Sequence, residues 1–304
     1  MSRPVRGLVP VLATPFHPDG SLDRPSLRRL TAFQLRAGAD GVAVFGMASE
    51  GFALTAADRD AVLADVTDVV AGAVPVVAGV SPTSLATALE QCGQAVAGGA
   101  DALMVLPPYL AKPGVPQLVD FYGALGERAG APVMVQDAAA TTGVAMPVAL
   151  LTEFGKLEGV DSVKVESAPT VPKIAETVAA APAGFDVLGG QNAFFLLEEL
   201  AAGAVGTMPA CEFTDVLRPV LDAWAAGRAD EAHGAYERLL PLIRFGMQAG
   251  FAWAVHKEVL VRRGVIGSAA VRLPAKGLTE ALRGQLDGIL QRLALPPVAA
   301  DGAR

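Results

Sequence analysis

The sequence has few of the residues on which many common active sites depend. Among its 304 residues are two cysteines, three tyrosines and three histidines. Cys92 and Cys211 lie too far apart in the chain to form a metal-type pair, and the histidines are scattered, at His17, His233 and His256. We therefore expect no metal centre and no Ser-His-Asp arrangement. Two unpaired thiols are typical of a cytoplasmic protein.

Positive charge and long apolar stretches are also scarce. Lys and Arg number 24 against 31 Asp and Glu, for a net charge of −7 and a pI near 5.1, and they form no basic tract. Nucleic acid is therefore not expected as a partner. The composition is 52% hydrophobic, yet the longest charge-free run, 69–89, is interrupted by Gly72, Pro75, Gly79 and Pro82. Such a run does not predict a membrane-spanning helix.

Short apolar runs and helical segments alternate along the chain. Eight runs are typical of buried strands: GLVPVLA, GVAVFG, VPVVAGV, ADALMVL, PVMVQ, VDSVKV, FDVLGG and VGTMP. Segments with helical spacing separate them, for example 57–71, 85–97 and 193–202. No G-x-G-x-x-G follows the first run, which counts against a dinucleotide fold. The pattern predicts an α/β protein with a (β/α)8 TIM barrel.

The strand pattern stops near residue 229. Three further segments, at 229–243, 250–263 and 278–294, have helical spacing. We therefore predict a barrel catalytic domain at 1–228 and a C-terminal helical region at 229–304.

One lysine stands out in this pattern. The chain has lysines at 112, 156, 164, 173, 257 and 276, and of these Lys164 alone lies within a predicted strand core. Residues two apart on a strand share a face, so Lys164 and Glu166 point the same way, toward the barrel mouth if that face is inward. A desolvated lysine can stay neutral near pH 7 and attack a ketone to form an imine. A structural ion pair of Lys164 with Glu166 or Asp161 explains the same pattern, and the residues alone leave both readings open.

Ordered motifs along nearly the whole chain resemble those of the dihydrodipicolinate synthase/N-acetylneuraminate lyase superfamily. They are TPF at 14–16, G-x-x-x-E at 46–50, PPY at 107–109, the strand lysine at 164 and GAVG at 203–206. The resemblance implies a barrel with a C-terminal helical extension, usually a homotetramer. It also implies that Lys164 forms an imine with a 2-oxo acid and that no cofactor is needed.

Several positions depart from the synthases of that superfamily. Their threonine pair is replaced in the stretch GMASE at 46–50. Their relay tyrosine falls on Gln136, their neighbouring-subunit tyrosine on Leu110 and their substrate-binding arginine on Thr141. An amide has no useful pKa and cannot shuttle protons, so Gln136 does not replace the tyrosine. Dihydrodipicolinate synthase activity is therefore not expected.

The replacements are similar to the motifs of a dehydratase branch, whose best-known members act on 2-keto-3-deoxy-L-arabonate. The stretches that carry this likeness are GMASE, PVMVQDAAATTG and KVES. The likeness fails at three positions: Ala139 stands where that branch usually has proline, and Cys211 and Glu212 where it has glycines.

The resemblance suggests roles for seven residues. Lys164 and Glu166 are the catalytic candidates. Glu166 either moves protons, a task for which Ser49 is the alternative, or only orients the lysine. The substrate-binding candidates are Thr14, Ala48, Ser49, Gln136 and Gly190. We expect the Ser49 hydroxyl, with the backbone N–H groups of Ala48 and Ser49, to hold the substrate carboxylate.

Three functions remain open at this point. The first is a lyase that dehydrates a 3-deoxy-2-oxo sugar acid, and the second is a pyruvate-dependent aldolase of the same fold. The third is a catalytically silent barrel that binds a 2-oxo acid. Product analysis separates the first two functions, and imine trapping separates both from the third.

Overall fold

Eight parallel strands form the centre of the computed structural model, which describes residues 3–298. The strands are β1 (Gly7–Leu8), β2 (Val42–Val44), β3 (Val76–Val80), β4 (Ala102–Val105), β5 (Val133–Asp137), β6 (Val160–Val165), β7 (Asp186–Gly189) and β8 (Gly206–Thr207). Their order is β1-β8-β7-β6-β5-β4-β3-β2, and Val11 bridges both Ala43 and Ala210. These bridges connect the first strand to its neighbours on both sides, and the predicted (β/α)8 barrel is confirmed.

Helices separate the strands. They are α1 (Arg24–Arg36), α2 (Ala56–Val70), α3 (Leu85–Ala97), α4 (Val115–Arg128), α5 (Ala139–Thr142), α6 (Val148–Phe154), α7 (Thr170–Ala180), α8 (Leu196–Ala201) and α9 (Thr214–Ala225). Local sequence sets several starts. At α2, the Thr55 hydroxyl accepts a hydrogen bond from the Asp58 N–H, and the Asp58 carboxylate accepts one from the Thr55 N–H. This capping box satisfies two N–H groups that the helix itself leaves unpaired.

Alternation along the strands divides the side chains between two apolar layers. Inward-pointing residues fill the barrel, including Val9, Val11, Ala43, Val77, Met104, Met134, Leu188 and Met208. Outward-pointing residues pack against the surrounding helices in a larger cluster. Side chains near the carboxyl ends of the strands therefore lie above a filled core, where TIM barrels carry their active sites.

Three helices follow the barrel: α10 (Ala229–Phe245), α11 (Ala252–Arg262) and α12 (Glu280–Leu293). They share one apolar cluster with α8 and α9, which includes Leu197, Leu217, Leu242, Val255 and Leu286. The predicted division after residue 228 stays a prediction, and 299–304 of the predicted C-terminal region lie outside the described residues. Within 3–298, no helix has the length and apolarity that crossing a membrane requires.

Candidate active site

Lys164 and Gln136 are neighbours in the sheet. They are register partners on β6 and β5, and Gln136 lies two residues after Met134, a member of the inner layer. Period-two alternation therefore directs both side chains into the barrel. Lys164 is 4% exposed and Gln136 is 2% exposed. The strand pattern thus places an amine and an amide side by side, out of bulk water.

Glu166, the residue directly after β6, completes this group. Its Oε1 lies 2.9 Å from Lys164 Nζ, and its Oε2 accepts a hydrogen bond of 2.7 Å from Gln136 Nε2. Gln191 Nε2 also donates to the Glu166 carbonyl oxygen at 2.7 Å. The carboxylate compensates the charge of the buried amine and can accept its proton. The ion-pair partner of Lys164 is therefore Glu166, whereas Asp161 accepts a hydrogen bond from the Ser162 hydroxyl.

Gly190 leaves the space that this pair occupies. A Cβ atom at this position would lie 2.4 Å from Glu166 Cγ and 3.0 Å from Lys164 Cε. The requirement for glycine is therefore one of volume beside the Lys164–Glu166 pair.

The loop after β2 forms a second wall. Thr14 Oγ1 donates to the Ser49 carbonyl oxygen at 2.7 Å, so Thr14 fastens the loop. The Ser49 N–H donates to the Gly46 carbonyl oxygen at 3.1 Å within the turn. This N–H group, predicted to bind the substrate carboxylate, therefore already has a partner. The Ser49 hydroxyl is buried, with no hydrogen-bond partner among residues 3–298, and Ala48 lines the cavity.

Helix α11 holds the same loop from the C-terminal side. Lys257 forms a fully buried ion pair with Glu50, and its Nζ lies 4.1 Å from the centre of the Phe16 ring. Burial lowers the pKa of Lys257 to about 8, although Glu50 opposes this shift. Trp253 Nε1 donates to the Met47 carbonyl oxygen at 2.5 Å. These contacts fix the loop on which Ala48 and Ser49 lie.

Other polar residues near the strand ends lie apart from the lysine. Asp137 points out of the barrel, where Lys173 Nζ lies 2.6 Å and Ser167 Oγ 2.7 Å from its carboxylate, and burial raises its pKa. Burial likewise raises the pKa of Cys211 to about 12, so this thiol does not supply a reactive thiolate. Tyr109 lines a neighbouring cavity of about 310 Å³.

Of the seven predicted site residues, Ala48, Lys164 and Glu166 line one cavity of about 470 Å³, whereas Thr14, Ser49, Gln136 and Gly190 are not among its lining residues. Its wall includes Lys164 and Glu166 at the bottom of the barrel mouth, and it extends to the α10–α11 loop and α11. Sequence reasoning missed four contributors to this region: Gln191, Trp253, His256 and Lys257. Helix α11 lies about a third of the chain away from Lys164, and its helical spacing gives no sign that it covers the site. No cluster of His, Cys, Asp and Glu suited to a metal occurs within 3–298.

Comparison with known proteins identifies the family. The model of the dihydrodipicolinate synthetase family matches residues 4–293. L-2-keto-3-deoxyarabonate dehydratase of Azospirillum brasilense is 35% identical over 297 residues, covering 95% of this chain and 94% of that protein. The 4-hydroxy-tetrahydrodipicolinate synthase of Chlorobium luteolum is 28% identical, covering 97% of this chain and 99% of that protein.

Solved structures agree with this result. Dihydrodipicolinate synthase from Rhodopseudomonas palustris has a TM-score of 0.89 at 30% identity, covering 95% of this chain and 97% of that chain. A prophage protein of the dihydrodipicolinic acid synthase family from E. coli K12, solved in complex with pyruvate, has a TM-score of 0.88 at 27% identity, covering 95% of this chain and 99% of that chain. The resemblance inferred from the motifs is confirmed, and the chain belongs to the dihydrodipicolinate synthetase family, whose members are lyases.

Proposed function

We propose that this lyase removes water from a 3-deoxy-2-oxo sugar acid through an imine on Lys164. The observation that carries the proposal is the Lys164–Glu166–Gln136 group, in which an amide occupies the position beside the reactive amine. A relative at 35% identity is a 2-keto-3-deoxyarabonate dehydratase, which supports the choice of substrate class.

The positions of the tyrosines support dehydration over aldol chemistry. The Tyr122 hydroxyl is buried and donates to the Val105 carbonyl oxygen at 3.0 Å. Tyr236 Oη lies 2.7 Å from the Ala193 carbonyl oxygen, and Tyr109 lines the neighbouring cavity. These are all the tyrosines of the chain, and none lines the cavity that contains Lys164. A phenolic proton relay is therefore not available at the amine.

Imine formation needs a proton to leave the lysine and water to leave the substrate. Glu166 Oε1 takes a proton from the Lys164 ammonium group across 2.9 Å. The neutral amine then adds to the C2 carbonyl carbon, a proton passes from its nitrogen to the carbonyl oxygen, and Glu166 gives its own proton to the resulting hydroxyl group, which leaves as water. Glu166 is again a carboxylate, and the substrate is held as an iminium ion.

Dehydration follows from the acidity that the iminium ion gives to C3. Glu166 accepts a proton from C3 and gives it to the C4 hydroxyl group, which the enamine expels as water. A C3–H bond and a C4–O bond break, a C3=C4 bond forms, and the carbon chain stays whole. Hydrolysis of the imine then releases the product and the Lys164 amine.

A product screen tests the proposal. The protein is incubated with a panel of 3-deoxy-2-oxo acids, and mass spectrometry measures loss of one water against release of pyruvate. We expect water loss with the chain intact. Pyruvate release would instead identify an aldolase and contradict the proposal.

Borohydride trapping tests the nucleophile in the same samples. We expect one labelled peptide, containing Lys164, and no label in Lys164→Arg. Lys173→Arg is the matched control, because Lys173 pairs with Asp137 outside the barrel, and it should label normally. Labelling of Lys164→Arg, or no labelling of the wild-type protein, would rule out the imine mechanism.

A further inference from the structure

His256 is a buried histidine in the wall of the cavity that contains Lys164. It lies on α11, is 4% exposed and belongs to the residues that line this cavity. We propose that His256, oriented by Glu212, binds a hydroxyl group on the part of the substrate that extends beyond the imine carbon. This proposal rests on the proposed function for its substrate class and adds a residue that selects the hydroxylated chain.

Glu212 fixes which ring nitrogen is available. Its Oε1 lies 2.8 Å from His256 Nδ1, and its side chain is fully buried. A carboxylate at this distance holds the proton on Nδ1, so Nε2 becomes the nitrogen that can meet a ligand. Within 3–298, no residue forms a hydrogen bond with His256 Nε2. The pair therefore leaves one ring nitrogen of this cavity-lining residue without a partner.

The buried carboxylate of Glu212 has little other support. Its Oε2 lacks a hydrogen-bond partner among the described residues. Arg263 donates to the Glu212 carbonyl oxygen at 2.7 Å, but its guanidinium group forms its ion pair with Asp215. Burying a carboxylate with so few partners is costly, and stability alone does not explain it. Orientation of the His256 ring gives it a function.

The surrounding chain leaves room for the ring. A Cβ atom on Gly246 would lie 2.9 Å from His256 Cε1, so the glycine at the end of α10 admits the imidazole. The neighbouring Asn192 is already engaged, because its Nδ2 donates to the Ile243 carbonyl oxygen at 3.3 Å and its Oδ1 accepts from the Ala210 N–H at 2.9 Å. Asn192 is thus structural, whereas His256 keeps a free ring nitrogen.

A hydroxylated chain suits this nitrogen. A neutral Nε2 accepts a hydrogen bond from a hydroxyl group, and a protonated one donates to it. Pyruvate has only a methyl group beyond its carbonyl carbon, so it offers His256 no hydroxyl group. Selectivity for a longer 2-oxo acid over pyruvate is the measurable consequence.

The experiment compares two acids with four variants of the full-length protein. Binding of pyruvate and of a 3-deoxy-2-oxo pentonic acid is measured by calorimetry, and imine formation by borohydride trapping, for wild type, His256→Phe, His256→Gln and Glu212→Gln. The matched control is His233→Phe, because His233 is an exposed histidine on α10.

For His256→Phe we expect an approximately 10–100-fold loss of affinity for the pentonic acid, since a site that binds a hydroxyl group loses about this much with one hydrogen bond. Pyruvate binding should stay within about twofold of wild type, because pyruvate has no hydroxyl group that could bond to His256. His256→Gln should recover part of the loss, Glu212→Gln should lose affinity in the same direction, and His233→Phe should match wild type.

Equal losses for both acids, or no loss for either, would overturn the role of His256. If the wild-type protein binds the pentonic acid but removes no water from it, the proposed function fails while the ratio between the two acids still tests His256. A wild-type protein that does not bind the pentonic acid would refute both proposals.

Discussion

The buried amine of Lys164 is compensated by contacts from two neighbouring positions in the barrel. Glu166 lies 2.9 Å from the amine, and Gln136 holds the second oxygen of that carboxylate at 2.7 Å. Both oxygens of Glu166 therefore face donors. A neutral substitute at this position can satisfy at most one of the two donors with its single oxygen.

Glu166→Gln is the sharpest single-residue test of proton transfer. If Glu166 moves protons, the variant should still form a trapped imine but lose turnover by about 10²–10⁴-fold. In this variant, the new amide nitrogen at position 166 would face the Gln136 amide nitrogen, and both are donors. If Gln136 rotates its side-chain amide, its oxygen can accept from the new nitrogen, so the folded protein can accommodate the change. Trapping and turnover are measured on the same preparation.

Two other results for this variant would change the assignment of Glu166. Normal trapping with normal turnover would remove Glu166 from the mechanism. Loss of trapping together with a lower free energy of unfolding would give Glu166 a structural role.

Gly190→Ala tests the volume requirement at the amine. The new Cβ atom would lie 2.4 Å from Glu166 Cγ, so the Lys164–Glu166 pair must move. We expect imine formation to slow by about tenfold or more, since small misplacements of reacting groups have large effects on rate. The trapping rate is the measurement.

Gly93→Ala is the matched control for that variant. Gly93 lies in α3, where an added Cβ atom meets no atom within 4 Å. It should keep the wild-type trapping rate and stabilise the helix by up to about 1 kcal/mol. A wild-type trapping rate in Gly190→Ala would show that the pair tolerates the added methyl group.

Among the helices, α8 carries a carboxyl group directly behind the strands of the site. Glu199 is 1% exposed, its Oε1 accepts a hydrogen bond of 2.6 Å from the Thr170 hydroxyl, and its Oε2 occupies the place of a Cβ atom on Gly189. Burial raises the pKa of Glu199 to about 7, against the smaller opposing effect of Thr170. The native protein therefore holds a proton on Glu199 that the unfolded chain releases near its ordinary pKa of 4.5.

This difference predicts a pH dependence of stability. Between about pH 4.5 and 7 the native state binds more protons at Glu199 than the unfolded state, so this residue's contribution to stability falls as the pH rises. Glu199→Gln removes the titration. As the pH rises from 4.5 to 8, the free energy of unfolding of this variant should increase relative to that of wild type by on the order of 3 kcal/mol.

Denaturant unfolding across this pH range measures the effect. Glu198→Gln is the matched control for the loss of a carboxylate, because Glu198 is exposed on the same helix. It should keep most of the wild-type pH dependence, since burial is the main cause of the Glu199 shift and the Glu198 charge a smaller one. A parallel curve for Glu199→Gln would show that Glu199 titrates normally in the folded protein.

At the scale of the whole molecule, the C-terminal helices are tied to the barrel mouth by a buried ion pair. Lys257→Met removes the cation that faces Glu50 and leaves a buried carboxylate without it. Breaking such a pair from one side costs about 3–5 kcal/mol of unfolding free energy. The double variant Lys257→Met with Glu50→Gln should recover much of that loss, because no unpaired charge remains and the side chain can still accept from the Arg272 N–H.

Thermal and denaturant unfolding of the single and double variants form the test. Equal stability of Lys257→Met and wild type would mean that the ion pair is not needed to hold α11 on the loop. A double variant no more stable than Lys257→Met would show that the loss comes from packing and not from the isolated charge.

The sequence by itself determined those features that follow from local periodicity. Eight apolar runs predicted eight strands, because a strand buried on both faces needs apolar residues throughout. A lysine inside the sixth run, with a glutamate two residues later, predicted that both point to one side. The family likewise follows from motifs that are local in the chain. The strand β1 is shorter than the apolar run that predicted it. The N–H groups of Val9 and Val11 continue to bond toward β8, but Pro10 between them has no N–H group to donate.

Tertiary structure alone decided which groups meet. Glu166 rather than Asp161 pairs with Lys164, Gln136 holds Glu166, Lys257 pairs with Glu50, and His256 pairs with Glu212. These partners come from different elements, and their distances depend on how the barrel closes and how α11 packs over its mouth. A helix's own periodicity records which of its faces is buried but not which distant loop lies against that face. For this reason the lysine could be found in the sequence, whereas the cavity wall formed by α11 could be found only in the folded chain.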